Sequence, residues 1–545
     1  MRLFPMISGQ GRALLAQAGG ALAIAVLIAG CGDNYRPTVT PVYSTGPAAQ
    51  PASYAVVVST TGTSTDGVVT LIDYSGDSIL TEATIGPGPT AFTLDQLGAD
   101  GYTVNSDGTL SNFAISTSLQ SKNVSFSTVS PCSHLVNLMP PSSGLWAIDL
   151  STQTSQSTGT ACQNTLSTDV VDLFQGSPQA FKLAVPVAVP VAPASTTTAT
   201  MPMFVAGSPS LSGQREYVIS QNVPDTPSAL QTEAVTCNNP ANFASVSTGV
   251  AIPIEISSET TDPAIPVGKC PVFAVPSTDQ QRLFVLNRGD STITVINAKN
   301  NTLDACTPFQ NQNGQWVTCH QTIQLPTGSG PIYAEYVPAT QQLVVANYDG
   351  GTVSVIDVPL DEYGNDSNTY TTSSCNPTPP TSTCLITGGF GTVHNITVGN
   401  TATPNPASVT VLYDGSKAYT ANQNDGALNG TVTVINLSTY TVEKTITVVG
   451  HPRTVVNTQN SEYAKVYVGS PDSPYITIIE SSPTETDLID TTVLVEGTVV
   501  DVRTTSQNGN SGNNDYSSRV PGYGQPCNLP GSASLVSLAA CQAIP

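Results

Sequence analysis

The chain has 545 residues and a formal net charge of −22, with 16 Lys+Arg against 38 Asp+Glu. An acidic surface repels phosphate backbones, which argues against nucleic acid as a partner. Only 10% of residues are charged, while Thr, Ser, Val, Gly and Pro abound, a composition that argues against a disordered chain and for an all-β fold.

The N-terminus carries Arg2 and Arg12, then the apolar run Ala21–Ile28, then Ala29-Gly30-Cys31. A basic start, a short apolar core and small residues before a cut describe a secretory signal, and the run is shorter than the ~20 residues of a membrane span. Ile28-Ala29-Gly30-Cys31 resembles the bacterial lipobox. The resemblance implies that residues 1–30 are removed and that Cys31 becomes a lipidated N-terminus; an ordinary signal with a chance Cys is the alternative. Gly32 after the Cys resembles the outer-membrane sorting pattern of enterobacteria. The expected location is therefore the bacterial envelope, tethered to the outer membrane and facing the periplasm or the exterior. Residues 31–53, rich in Pro, Thr and Ala, form the tether.

From Tyr54 onward a repeat organises the chain. A faint copy runs from Tyr54–Val58 to Val69–Asp73. Three sharper copies follow: Arg282–Asn297, Gln342–Asp357, and Ala418–Asn422 with Gly430–Asn436. Another weak one runs from Val466–Gly469 to Ile476–Glu480. Each reads as a strand, an Asn/Gly turn, and a second strand closing on Val-Ile-Asn or a variant of it. Further strands, such as Thr445–Val448, and Gly-Pro or Gly-x-Pro steps at Gly88-Pro89, Gly330-Pro331 and Gly450-His451-Pro452 flank these pairs. Four antiparallel strands in a repeat of roughly 40–45 residues mark a propeller blade. Units fall near 54–89, 90–130, 133–187, 189–267, 270–327, 331–398, 404–449 and 451–495. That makes eight blades, with seven the alternative because the third and fourth units are irregular.

The first unit lacks an inner strand, and Thr498–Arg503 has no unit of its own. The expected fold is a single all-β propeller over residues 54–504, its C-terminal strand inserted in the first blade to close the ring and remove its edges. Residues 184–200, 305–321 and 359–390 read as insertions, and 505–545 as a Gly/Asn/Ser-rich tail.

The motifs "FVLNRGDSTITVIN", "VVANYDGGTVSVID" and "YTANQNDGALNGTVTVIN" resemble the YVTN β-propeller repeats of surface-layer and lactonase-like propellers. The match is good over about residues 270–500 and fainter over 54–265. It implies the fold; propellers host many unrelated activities.

With Cys31 set aside, ten cysteines remain: Cys132, Cys162, Cys237, Cys270, Cys306, Cys319, Cys375, Cys384, Cys527 and Cys541. An even number in an exported chain implies disulfides. Pairing of neighbours (132–162, 237–270, 306–319, 375–384, 527–541) is the economical choice among many. No Cys-x-x-Cys spacing supports a metal site.

No Gly-x-Ser-x-Gly, His-Glu-x-x-His or phosphate-loop motif occurs, and no catalytic residue is assigned. The four histidines are His134, His320, His394 and His451. His451, in a turn between units, could reach the channel. The acidic turns 361–366 and 422–426 could offer oxygens to Ca²⁺, though the same residues suit turns for backbone reasons; no cofactor is expected.

The leading functional expectation is a monomeric, membrane-tethered binding or scaffold module for a protein or polysaccharide. A lactonase-type hydrolase with its site at the channel, and a surface-layer or adhesion component, are the alternatives.

Overall fold

A computed structural model of the chain describes residues 54–115, the strands between 125 and 224, and 237 and 240–505. Short breaks fall at 95–97, 99, 108, 256, 278–280, 311–315, 362, 371–385, 459–462 and 483–486. The signal, the lipidation site Cys31, the tether, the tail, His134, and Cys132, Cys162, Cys375, Cys384, Cys527 and Cys541 lie outside the described residues.

The repeat folds as the alternation of its side chains dictates. In the sharpest copy, Arg282–Asn287 and Thr292–Asn297 pair antiparallel, Arg282 opposite Asn297 and Asn287 opposite Thr292. Both strands are buried on both faces, because each sheet is sandwiched between two others. The turn Asn is the repeat's fastener. Asn287 Nδ2 donates to the hydroxyls of Thr292 and Thr294 at 3.1 and 2.9 Å. Asn347 does the same to Thr352 and Ser354 at 3.0 and 2.8 Å, and Asn422 to Thr431 and Thr433 at 3.0 and 2.8 Å. Asn105 repeats it on Thr109 and Ser111. The recurrent Asn and the Thr/Ser pair that follows it are thus one hydrogen-bonded unit, which explains why they recur together in sequence.

Eight antiparallel sheets of four or five strands follow in chain order among the described residues. Their innermost strands are Thr498–Thr504, Pro89–Leu94, Leu135–Met139, Thr198–Ser208, Pro271–Pro276, Pro331–Val337, Pro406–Val411 and Thr454–Asn457. Each touches the next in this order, and the last touches the first, so they line an axis. We number the sheets 1 to 8 by these strands. Sheet 1 takes its innermost strand from the C-terminal end of the propeller: Val57 pairs with Val502 and Ala55 with Thr504.

The end of the ring that bears the Asn turns is its upper end. There the outermost strands of sheets 1, 5, 6, 7 and 8 hand over to the next innermost one through a Gly: Gly88, Gly330, Gly399, Gly450 and Gly497. Gly330 has φ +57, and a Cβ on it would fall 1.9 Å from Asp349 Oδ2; Gly497 has φ +79, and its Cβ would fall 2.3 Å from the Thr60 carbonyl. Only glycine fits both the conformation and the space.

Insertions sit where sequence places two of them: residues 305–321 carry a small hairpin, Phe309–Gln310 with Trp316–Val317, and 359–390 carry Asn368–Tyr370 with Ile386–Gly389. Residues 184–200 differ from expectation. Lys182–Ala188 is the outermost strand of sheet 3, and Thr198 already begins the innermost strand of sheet 4. A strand at the outer edge of a sheet tolerates Pro because it needs donors on one side only, so the Pro-rich run reads as a loop yet pairs as an edge.

At the lower end a second repeated device joins neighbouring sheets. The first residue of each second strand in sheets 4 to 8 reaches the turn before the outermost strand of the following sheet. Arg215 donates to the Ala298 carbonyl at 3.1 Å, Arg282 to Asp366 at 3.2 Å, and Gln342 to the Tyr440 hydroxyl at 3.2 Å. Lys417 meets Asp487 at 2.7 Å and Lys465 meets Asp77 at 2.5 Å. Each of the five also holds, or lies beside, an acid of its own sheet: Glu255, Asp304, Asp357, Glu443 and Asp490. The last of these clasps spans the seam between sheets 8 and 1.

Candidate functional site

The axis holds a charged cluster in otherwise apolar surroundings. On the innermost strand of sheet 1, Arg503 Nε and Nη2 donate to Asp501 Oδ2 at 3.0 and 2.9 Å. On the innermost strand of sheet 6 stand Tyr333 and Glu335, both buried. Burial foremost pushes the Tyr333 phenol up; Glu335 and Asp501 add to the rise, while Arg503 opposes it. Tyr333 therefore feels the charges of sheet 1 although sheets 7 and 8 intervene along the ring, so these groups face one another across the axis. Aromatic rings complete an arc on the other side: Phe204 lies 4.6 Å from Phe273, and Phe273 lies 4.8 Å from Tyr333, one ring from each of sheets 4, 5 and 6. An Arg–Asp pair, a Glu and a neutral Tyr at one level can bind and orient a small polar group, and a carboxyl beside a guanidinium can move a proton.

The upper end is a platform fastened by carboxylates. Asp290 accepts from the Lys269 N–H at 3.0 Å, Asp425 from Asn400 and Thr401 at 2.7 Å, and Asp472 from His451 at 2.8 Å. Arg288 is buried in a fork with Asp349 at 2.8 and 2.7 Å and lies 5.4 Å from the Tyr348 ring centroid. Over sheets 7 and 8 this platform exposes apolar side chains: Leu428 at 83%, Leu494 at 57%, with Val449 and Tyr475 beside them. They form one sector. Gly430 N–H donates to the Gly450 carbonyl, Ser470 donates to Val449, and Tyr475 is the cross-strand neighbour of Leu494. Asp472 and Glu496 stand exposed or half-exposed on its rim.

Three histidines are each locked to an aspartate. His320 Nδ1 meets Asp366 at 2.8 Å, His394 Nε2 meets Asp357 at 3.1 Å, and His451 Nδ1 meets Asp472 at 2.5 Å. None joins the axis cluster; His451 sits on the upper rim. His394 stacks parallel on Tyr440, centroids 3.7 Å apart, across the seam of sheets 6 and 7.

The two turns read as calcium candidates turn their oxygens inward. Asp361 accepts the N–H groups of Tyr363 and Asn365 at 2.9 Å, Asp366 is held by Arg282 and His320, and Asp425 by backbone N–H groups and Thr431. Among the described residues no three His, Cys, Asp or Glu side chains gather as a metal site.

Two disulfides join neighbours in sequence, Cys237–Cys270 and Cys306–Cys319, with Cα atoms 5.7 and 5.4 Å apart. They mark an oxidising, non-cytoplasmic compartment. No helix among the described residues is long and apolar enough to cross a membrane.

Beside the second disulfide, Arg282 is buried between Asp304 and Asp366 at 3.0 and 3.2 Å. Burial and then the neighbouring Asp366 push the Asp304 carboxyl up to about 6, against the pull of Arg282. In sheet 4, Glu216 is buried without a hydrogen-bond or ionic partner among the described residues, and burial pushes its carboxyl well above the usual range.

Sequence reasoning assigned none of the axis residues. The signal was present: Glu335 is the one ionisable acid in the apolar strand Pro331–Val337, and Asp501 and Arg503 alternate in Thr498–Thr504. Charge inside a buried strand is costly and calls for a reason.

No protein-family model and no curated protein matches the chain, so the likeness to YVTN repeats stands on the motifs alone. Solved propeller-like structures do match. Apo AztD from Citrobacter koseri is 13% identical, covering 82% of this chain and 96% of its own, with TM-score 0.44. The periplasmic gluconolactonase PpgL of Pseudomonas aeruginosa is 13% identical over 83% and 99%, with TM-score 0.42. A protein from Lactobacillus plantarum is 12% identical over 83% and 99%, with TM-score 0.43. At these identities and scores the likenesses say nothing of activity, and the propeller architecture stands on the chain's own sheets.

Proposed function

We propose that the chain is an exported, lipid-tethered β-propeller that works as a binding module, and that its partner is a protein met by the upper end over sheets 7 and 8. The observation that carries this reading is the exposed sector of Leu428, Val449, Tyr475 and Leu494 on a platform whose turns are otherwise fastened by Asn and Asp side chains. Contiguous exposed apolar side chains on a rigid surface mark an interaction site, and a rigid platform loses little entropy on binding. Aliphatic side chains favour a protein over a polysaccharide, which stacks on aromatic faces.

Photo-reactive residues placed at Leu428 and Leu494, with one at Tyr413 on the lower end as control, test it in intact cells. A discrete adduct from the first two positions and none from the third supports the reading. Absence of any adduct at 428 and 494 contradicts it.

The axis cluster supports a second reading, a hydrolase acting on a sugar lactone, through Arg503, Asp501, Glu335 and Tyr333. Lactone turnover that is lost in Asp501→Asn would favour it over the first.

A further inference from the structure

The clasp between sheets 8 and 1 has a chemistry the other four lack. Lys465 Nζ lies 2.5 Å from Asp77 Oδ2, with both side chains under one-tenth exposed, and 3.7 Å from Asp490 Oδ2. The amine and the carboxyl come from sheets 8 and 1, 388 residues apart in sequence. Their surroundings are aromatic and apolar: Tyr467 and Tyr74, centroids 5.8 Å apart, with Tyr463 beside Tyr74. The second carboxyl oxygen, Asp77 Oδ1, is buried with no hydrogen-bond partner among the described residues, and so is the Tyr467 hydroxyl. Burial first, then the adjacent Asp490, push the Asp77 carboxyl up to about 6, against Lys465. A desolvated amine held against a carboxyl that is easily protonated, with a second carboxylate in reach, is the arrangement for acyl transfer to nitrogen.

We propose that Lys465 and Asp77 are joined by an isopeptide bond across the seam between sheets 8 and 1, with Asp490 moving the protons. A proton passes from the ammonium to the Asp77 carboxylate, giving a neutral amine beside a neutral acid. Nζ attacks Asp77 Cγ and forms the N–C bond. Asp490 accepts a proton from the nitrogen and delivers it to the departing hydroxyl, so the C–O bond breaks and one water leaves. An ammonium and a carboxylate become one amide and one water; charge and atoms balance, and no co-reactant is needed. The product removes an ion pair from an apolar site and ties the strands of sheet 1 that come from the start of the chain covalently to sheet 8. The clasp at Lys417 is the internal contrast. There both Asp487 oxygens are occupied, Oδ1 by the Tyr419 hydroxyl and Oδ2 by Lys417, and the lysine is more open to solvent, so that pair stays ionic.

The test is mass spectrometry of the full chain, purified from cells, reduced and alkylated. The folded protein is expected to be lighter than its processed sequence by one water, and a branched peptide is expected to join residues 77 and 465, while 417 and 487 appear in separate linear peptides. Lys465→Met and Asp490→Asn are expected at full mass; the second keeps both partners, so it separates loss of chemistry from loss of fold. Wild-type protein at full mass, with 77 and 465 in linear peptides, overturns the bond. An Asp490→Asn variant as light as wild type overturns the role of Asp490.

Discussion

Replacing Arg282 by Met should destabilise the ring strongly, and more at pH 8 than at pH 5. The Arg282 side chain is 3% exposed, Asp304 3% and Asp366 0%. Met keeps the apolar stem but leaves two carboxyls buried without their cation. Breaking a buried pair in this way costs about 3–5 kcal/mol. The pH dependence follows from Asp304. Its carboxyl is raised to about 6 in the folded protein, so the folded state holds that proton more tightly than the unfolded chain does. Stability is therefore greater below the ordinary carboxylate range and falls as pH rises towards 6. Loss of Arg282 removes the group that opposes the rise and carries the penalty to higher pH. Asp366, His320 and Asn297 also face the site, and none of them replaces the lost charge, since His320 already serves Asp366. Urea unfolding of the oxidised protein at pH 8 and pH 5 measures both quantities through the midpoint and slope. A loss below about 1 kcal/mol at pH 8, or an equal loss at both pH values, would refute the reasoning.

Asn347→Ala removes the donors to Thr352 and Ser354, while Ser354 keeps its bond to Asn395; it should cost about 0.5–1.5 kcal/mol in the same assay. Cys306→Ser with Cys319→Ser opens a link between residues 13 apart and should cost about 3 kcal/mol, with the His320–Asp366 contact loosened and the His320 ring resonance shifted in NMR. Neither change touches the exposed sector on sheets 7 and 8, so adducts at Leu428 should persist in both.

The propeller was legible because its signal is local and repeated. An Asn, a Gly-containing turn and two alternating strands recur wherever a hairpin must be fastened, and the Asn–Thr hydrogen bonds show why those residue types travel together. The same logic points to the pairing of Thr498–Thr504 with Tyr54–Thr60, since an unpartnered Thr498–Arg503 and a first unit short of a strand are complementary facts. The axis cluster was not legible, because it is assembled from strands about 170 residues apart, and no spacing along the chain encodes a meeting across a ring. The lower clasps escaped for a related reason. Arg282, Lys417 and Lys465 each open a strand, an unremarkable place for a charge, and only the sheet that follows reveals the acid. Residues 184–188 misled in the opposite sense, since proline marks a loop only where both edges of a strand must donate.

Ring closure underlies the axis cluster, the seam and the platform alike, and hydrogen exchange on the full chain tests it most directly. Thr498–Thr504 pairs with Tyr54–Thr60 through Val57–Val502 and Ala55–Thr504, so the amides of 498–504 that face it should be protected as strongly as their partners in 54–60. Exchange of 498–504 at the rate of an unstructured chain, with 54–60 protected, would contradict a ring closed by its last strand.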